Sequence, residues 1–210
     1  MIRVTRTYLA KPGVEHELIN VLKDIQSYAK TQDVKTRLFT EPFGPGGVVH
    51  HHHDYTDAAE AQEWWQHLLS NPRAGESMAR IETVIEGHRE ASFLMETGQL
   101  SSDSVETKQM DRLVRIVRSF DAKPGMVPEL VNIADDFRGF MASQGIPVAV
   151  FTEPWGTGGR IHYHMDYPDA GEAMNVAEDV MKRQRARESL TRASTLIVGY
   201  WKRMFLNELE

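Results

Sequence analysis

The sequence predicts an α+β protein built from two copies of one βαββαβ unit. Three observations carry this. The chain falls on itself at a shift of 112 residues without a gap: Val4–Gly13 (VTRTYLAKPG) meets Ile116–Gly125 (IVRSFDAKPG), and Phe39–Ala61 meets Phe151–Ala173. About 37 of roughly 98 paired positions are identical, far beyond chance. Strand-like and helix-like hydrophobic periods succeed one another in the same order in both copies. Between the copies, Gln99–Gln109 (QLSSDSVETKQ) is polar and aperiodic, as a linker is. The units are therefore 1–98 and 111–210, with 99–110 joining them.

Each element has a local reason. Met1–Ala10 and Leu113–Ala122 are rich in Val, Ile, Thr and aromatic residues, which predicts a strand in each unit. Lys-Pro-Gly then turns the chain into a helix. In that helix Leu18, Val21, Leu22, Ile25, Tyr28 and Ala29 recur at helical spacing; Leu130, Ile133, Ala134, Phe137 and Met141 do so in the second copy. Two short strands follow, Thr36–Glu41 and Val48–Tyr55, joined by a Gly/Pro-rich hairpin. Asp57 is a plausible N-cap for a second helix carrying Ala61, Trp64, Trp65, Leu68 and Leu69. Asn71-Pro72 should interrupt that helix, and its proline-free counterpart should run longer. A last strand, Thr83–Met95 or Thr195–Leu206, closes each unit. This order is the ferredoxin-like split βαβ, a four-stranded sheet with two helices on one face. Its other face is bare, and two linked copies can bury those faces against each other.

The series T/S-Y/F-x-A-K-P-G, E-P-F/W-G-x-G-G and H-x-H-x-D-Y-x-D-A-x-E-A resembles the dimeric α/β-barrel proteins, most nearly their NIPSNAP-like branch. The resemblance covers nearly the whole chain. It implies one intramolecular α/β barrel made from the two units. Its functional implication is broad: cofactor-free monooxygenases, haem-binding enzymes, isomerases, cyclases and sensors share the fold.

Composition narrows the classes. The chain has 210 residues, 41% of them hydrophobic, and a net charge of −6. The acidic balance argues against nucleic acid as a partner, and no apolar run is long enough for a bilayer span. MIRVTRTYLAKPG does not read as a signal peptide, so a cytoplasmic location is the default. With no cysteine, disulfides, thiolate metal sites and cysteine nucleophiles are excluded. A metal would need His, Asp or Glu.

Six of the nine histidines lie in two equivalent strands. Alternate residues of a strand share a face. His50, His52 and Asp54 therefore point one way, and Val49, His51, His53 and Tyr55 the other. In the second unit Ile161, Tyr163, Met165 and Tyr167 are mostly apolar and should pack on the helices. His162, His164 and Asp166 then face the inter-sheet space. Imidazoles two residues apart stand ~6.5–7 Å from each other along a strand and can converge on one ion. If the hairpin pairs Phe43 with Val48, Glu41 sits opposite His50 and Glu153 opposite His162. Two His and a carboxylate form the facial pattern of non-haem iron, and suit Mn, Co, Cu or Zn as well. Asp54 or Asp166 could replace the glutamate or orient a histidine from behind. The same histidines could instead be acid/base groups in a metal-free pocket, or members of a hydrogen-bond network.

Other signals are weaker. Gly44-x5-His50-x-His52 is similar to the opening of the cupin metal motif, with Asp57 or Asp169 where cupins carry Glu. The helical segments argue against an all-strand jelly roll. Arg6 and Arg118 could clamp a substrate carboxylate, or form a cross-strand ion pair with Glu41 or Glu153. Arg3 and Arg115 read as edge or surface residues. Trp64 and Trp65 either fill a core or line a cavity in the first unit alone. The basic run Lys182–Arg187 reads as a solvated helix face, and His16, His67 and His88 as surface residues. Phosphate-loop and serine-hydrolase motifs are absent.

The resulting expectation is a small-molecule enzyme: a metal-dependent oxygenase or oxidoreductase. His50, His52 and Glu41, with His162, His164 and Glu153, hold the metal. Arg6 or Arg118 orients an anionic group of a small organic substrate. The alternatives are a cofactor-free monooxygenase, isomerase or cyclase with histidine as general base, and a non-catalytic ligand- or haem-binding protein. A homodimer of the two-unit chain is a further expectation.

Overall fold

The computed structural model describes residues 1–44, 46–86, 90–97, 113–155, 159–199 and 202–209. The linker read at 99–110 and His88 lie outside them. The first repeat carries β1 (Ile2–Leu9), α1 (Glu15–Lys30), β2 (Lys35–Thr40), β3 (Val48–Tyr55), α2 (Ala58–Ser70), α3 (Pro72–Val84) and β4 (Glu90–Glu96). The second carries β5 (Val114–Asp121), α4 (Val127–Ala142), β6 (Val148–Thr152), β7 (Arg160–Tyr167), α5 (Ala170–Lys182), α6 (Gln184–Leu196) and β8 (Lys202–Glu208).

The chain forms two compact units, Met1–Leu94 together with Glu208 and Leu209, and Met95–Asn207. In unit 1, β3 lies between β1 and β2, antiparallel to both. Leu209 N–H donates to Leu38 O at 2.8 Å and Arg37 pairs with Glu208, so the chain's end flanks β2. In unit 2 the strands run β8-β5-β7-β6, all antiparallel. Residues 95–97 flank β6: Met95 stands opposite Thr152 and Thr97 N–H donates to Val150 O at 2.8 Å.

Helices cover one face of each sheet. Leu18, Val21, Leu22 and Ile25 of α1 and Ile81 and Val84 of α3 pack on Tyr8, Leu38 and Val49. The spacing of these α1 residues is the apolar stripe of an amphipathic helix. Trp64 and Leu68 of α2 pack with Ile2, Val4 and Tyr55, so Trp64 fills core. In unit 2, Ile161, Tyr163, Met165 and Tyr167 lie in the helix-packed core, on the face that alternation predicts.

Two expectations about elements fail. The second unit has no longer helix: α5 and α6 break at Arg183 (φ −84°, ψ 127°), just as α2 and α3 break at Asn71 (φ −90°, ψ 116°). Docking of α6 on α4 demands the turn, whichever residue occupies it. Pro72 and the Asn71 cap, which accepts from Arg73 and Ala74 N–H, fit a break they do not create. The closing strands also start later than Thr83 and Thr195, which sit at helix ends. There Lys11 Nζ donates to Thr83 O (2.6 Å) and Lys123 Nζ to Thr195 O (2.8 Å). The repeated K-P-G lysine is thus a helix C-terminal clamp. Asp57 and Asp169 cap α2 and α5, which closes the cupin reading.

Candidate functional site

The strands of each unit bring together a carboxylate, an imidazole and a hydroxyl. His50 Nε2 lies 2.7 Å from Glu41 Oε1 and its Nδ1 3.0 Å from Thr7 Oγ1. In unit 2, His162 Nε2 lies 2.8 Å from Glu153 Oε1 and its Nδ1 2.9 Å from Ser119 Oγ. Thr7 is directly opposite His50 across β1 and β3, and Ser119 opposite His162 across β5 and β7. The hydrogen bond from His162 holds the Glu153 carboxyl below the usual carboxylate range. Glu153 is therefore the ionised acceptor and Nε2 the donor; in the tautomer that carries its proton on Nε2 alone, Nδ1 accepts from the Ser119 hydroxyl. Thr7 and Ser119 were not singled out by sequence reasoning. Their signal was a hydroxyl kept at paired positions opposite a repeated histidine.

The glutamates reach their histidines by a route other than the expected one. Phe39, not Glu41, lies opposite His50, and Phe151 opposite His162. The register is two residues off the expected one because the strand ends at Thr40 and a wider turn follows, closed by Gly44 N–H to Glu41 O at 3.3 Å. A shift of two keeps Glu41 on the histidine's face, so the contact survives on the diagonal. Gly44 makes room for it: a Cβ there would collide with the Glu41 carboxylate. Beyond Glu153 the same turn exposes Trp155 (69%), the counterpart of Phe43 (82%).

The other residues of the expected metal set stand apart. His50 and His52 ring centres are 6.4 Å apart, and those of His162 and His164 6.3 Å. His52 packs on Phe39 and His164 on Phe151, each at 4.9 Å. His50 and His162 already use both ring nitrogens. Asp54 and Asp166 are engaged by Arg3 and Arg115 in two-pronged ion pairs, with Nη2–Oδ2 at 2.7 Å in both. Among the described residues, no three His, Asp or Glu side chains gather so as to hold an ion. The donors present do not fit the expected three-ligand centre. Arg3 and Arg115, expected at the surface, are 5% and 2% exposed. Cross-strand pairing with a carboxylate directly opposite makes that burial tolerable.

The helix-facing side of unit 1 has a different character. Arg6 stands opposite His51, away from Glu41 and His50, with its guanidinium 4.6 Å from the centre of the Trp65 ring. It neither forms the expected ion pair nor joins the hydrogen-bonded relay of Glu41, His50 and Thr7. His51 accepts or donates a 2.6 Å hydrogen bond with Thr36 Oγ1, and its ring centre is 3.9 Å from that of His53. Burial, then His53, then Arg6, push the His51 pKa well down; burial and Arg6 push that of His53 down to about 3. Both are neutral imidazoles at ordinary pH. Both ring nitrogens of His53 and Trp64 Nε1 are buried without a hydrogen-bond partner. Arg118, the counterpart of Arg6, likewise stands opposite Tyr163 rather than with His162. His67, read as a surface residue, bonds the Tyr28 hydroxyl at 2.6 Å.

Known structures share this architecture over the whole chain. A candidate monooxygenase from Fusobacterium nucleatum superposes with a TM-score of 0.73 at 16% identity, covering 100% of this chain and 92% of that one. An anthrone oxidase-like protein does so at 0.68 and 8%, covering 100% and 91%. A NIPSNAP domain protein from Burkholderia xenovorans is 24% identical over 48% of this chain and 99% of its own, with a TM-score of 0.42. No family model and no curated protein matches the chain. The full-length likenesses show the fold: a ferredoxin-like, dimeric α/β barrel in tandem, single-chain form.

Proposed function

We propose that the chain is a monooxygenase-like enzyme for a small organic substrate, and that it uses the carboxylate-held histidines as general bases without a metal. The observation that carries this reading is the relay itself, present in both units with distances matching within 0.1 Å. Two of the proteins sharing the fold are described as a candidate monooxygenase and an anthrone oxidase-like protein, which supports the reaction class.

The chemistry asked of the relay is proton removal. Glu153 anchors Nε2–H and stabilises the imidazolium that forms when Nδ1 takes a proton by way of Ser119. Glu41, His50 and Thr7 do the same in unit 1. An activated methylene deprotonated in this way reacts with dioxygen directly. One oxygen atom becomes the product carbonyl, and the other leaves as water with the two methylene hydrogens, so no external reductant is required. The acidic balance of −6 suits a neutral or locally clamped substrate better than a polyanion.

The test is oxygen uptake by untagged protein with activated aromatic methylene compounds, before and after metal chelation, with metal content measured alongside. Uptake should survive chelation and fall by about 10²–10⁴-fold in the double variant His50→Gln/His162→Gln. Glu153→Gln should lower it while leaving the substrate concentration for half-saturation unchanged. Activity abolished by the chelator would refute the metal-free reading, and full activity in the double histidine variant would refute the relay.

A further inference from the structure

Unit 1 carries an aromatic chain that unit 2 lacks. Trp64 of α2 is 4% exposed, and its ring centre is 6.5 Å from that of His53 on β3. Tyr28 of α1 is half-buried and packs against Trp64 at 5.7 Å. The Tyr28 hydroxyl lies 2.6 Å from Nε2 of His67, an exposed residue of α2, and their rings stack at 5.8 Å with 11° between the planes. These contacts lead from β3 to the surface, and the other face of β3 holds His50. In unit 2 the repeat positions of Trp64, Tyr28 and His67 are Val176, Phe140 and Asp179. All three differ together. Phe140 lies under the Arg183 guanidinium at 5.3 Å and fills the place of Tyr28 without a hydroxyl, so packing alone asks for none.

Indole and phenol give up an electron more readily than aliphatic or amide side chains, and here the two stand in a fixed order. An indole that loses an electron becomes a strong acid at Nε1. Trp64 Nε1 is buried without an acceptor, so the oxidised ring keeps its proton and remains a strong oxidant. Tyr28 is the opposite case. In the tautomer that carries its proton on Nδ1, His67 Nε2 accepts from the Tyr28 hydroxyl. The imidazole can take that proton as the electron leaves, which spares the phenol a charged intermediate. A tyrosine oxidised in this way yields its electron more easily than an indole that keeps its proton. The electron therefore moves from Tyr28 to Trp64, and the hole moves outward.

We propose that Tyr28 and His67 form a redox-active pair that refills an oxidised Trp64, so that α1 and α2 give one-electron oxidising equivalents an exit from β3 to the surface of unit 1. A one-electron oxidant takes an electron from the Trp64 indole. Tyr28 passes an electron to Trp64 and its hydroxyl proton to His67 Nε2, which leaves a neutral tyrosyl radical and an imidazolium. At the surface a thiol gives its hydrogen atom to the tyrosyl oxygen and becomes a thiyl radical, and the imidazolium returns its proton to water. As protection for a protein that handles dioxygen, the path rests on the oxygen-using reading of the relay. The electron transfer itself needs no turnover and is tested apart from it.

Flash photolysis with photogenerated tris(bipyridine)ruthenium(III) as the oxidant is the test, on protein carrying Trp155→Phe and Trp201→Phe so that those indoles do not compete. Transient absorption should show an indole radical that decays as a tyrosyl radical rises, and the rise should be slower in heavy water. Tyr28→Phe, which installs the residue of unit 2, should abolish the tyrosyl signal and prolong the indole radical. His67→Gln should keep the indole radical and lose most of the tyrosyl signal. Trp64→Phe should remove the indole decay that feeds the tyrosyl rise. A tyrosyl signal that persists in Tyr28→Phe, one unaltered in His67→Gln or Trp64→Phe, or equal rates in heavy and light water would each overturn the proposal. Should Trp64→Phe fail to fold, Tyr28→Phe and His67→Gln, which alter no fully buried side chain, still decide it.

Discussion

At the scale of single residues, His53 is a fully buried and costly side chain. Two buried ring nitrogens without partners forfeit about 1–3 kcal/mol of desolvation. Its pKa also drops from an ordinary 6.5 to about 3. Between those values the unfolded chain binds a proton that the folded chain refuses. The neutral-histidine contribution is thus complete above pH 6.5 and declines as pH falls, by about 1.4 kcal/mol for each pH unit. His51 acts with the same sign. His53→Met copies Met165 of unit 2 and should stabilise the protein, more at pH 5 than at pH 7.5. Urea unfolding at the two pH values checks it, and an unchanged pH dependence would count against the assignment. The opposite case is Arg115, where removing one partner strands the Asp166 carboxylate. Arg115→Leu should cost about 3–5 kcal/mol in the same assay. The histidine faces were readable because unit 2 keeps apolar residues on one side only. The burial of Arg3 and Arg115 was not, since an arginine in a strand looks the same whether its carboxylate lies opposite or elsewhere.

At the scale of elements, the sequence marked strands, first helices and caps through period and cap chemistry, and misjudged where tertiary docking decides. The break at Arg183 is the clearest instance, because nothing local stops a helix between Lys182 and Gln184. That makes it a site for substitution. Arg183 is already extended, the conformation that precedes proline, and Gln184 is the first helical residue, whose N–H has no intrahelical partner. Gln184→Pro should be tolerated and raise stability by about 0.5 kcal/mol, seen as a higher Tm; a lowered Tm would mean that the Arg183 turn is not as described. The site was legible to a similar degree. Residue types and the shared face of Glu41 and His50 could be read, whereas the two-residue register offset and the hydroxyl on the neighbouring strand required the actual turn.

At the scale of the whole molecule, the duplication was plain in the sequence, but the membership of the strand ends was not. Unit 1 takes Glu208 and Leu209 from the end of the chain, where Glu208 pairs with Arg37. Glu96 is the repeat counterpart of Glu208. A fragment of residues 1–98 therefore lacks a partner for Arg37 unless a second copy supplies Glu96, and it should sediment as a self-associated species; a stable folded monomer would contradict this. No helix among the described residues is long and apolar enough to cross a membrane. The placement of the tryptophans adds an optical consequence. Trp64 is 4% exposed in the unit 1 core, and Trp155 is 69% exposed two residues from Glu153. The first indole emits from a dry, quencher-shielded setting and the second from a wet one open to acrylamide. With Trp65 and Trp201 replaced by phenylalanine, blue-edge and red-edge fluorescence then separate the packing of one unit from the turn beside the relay of the other, in a single unlabelled sample.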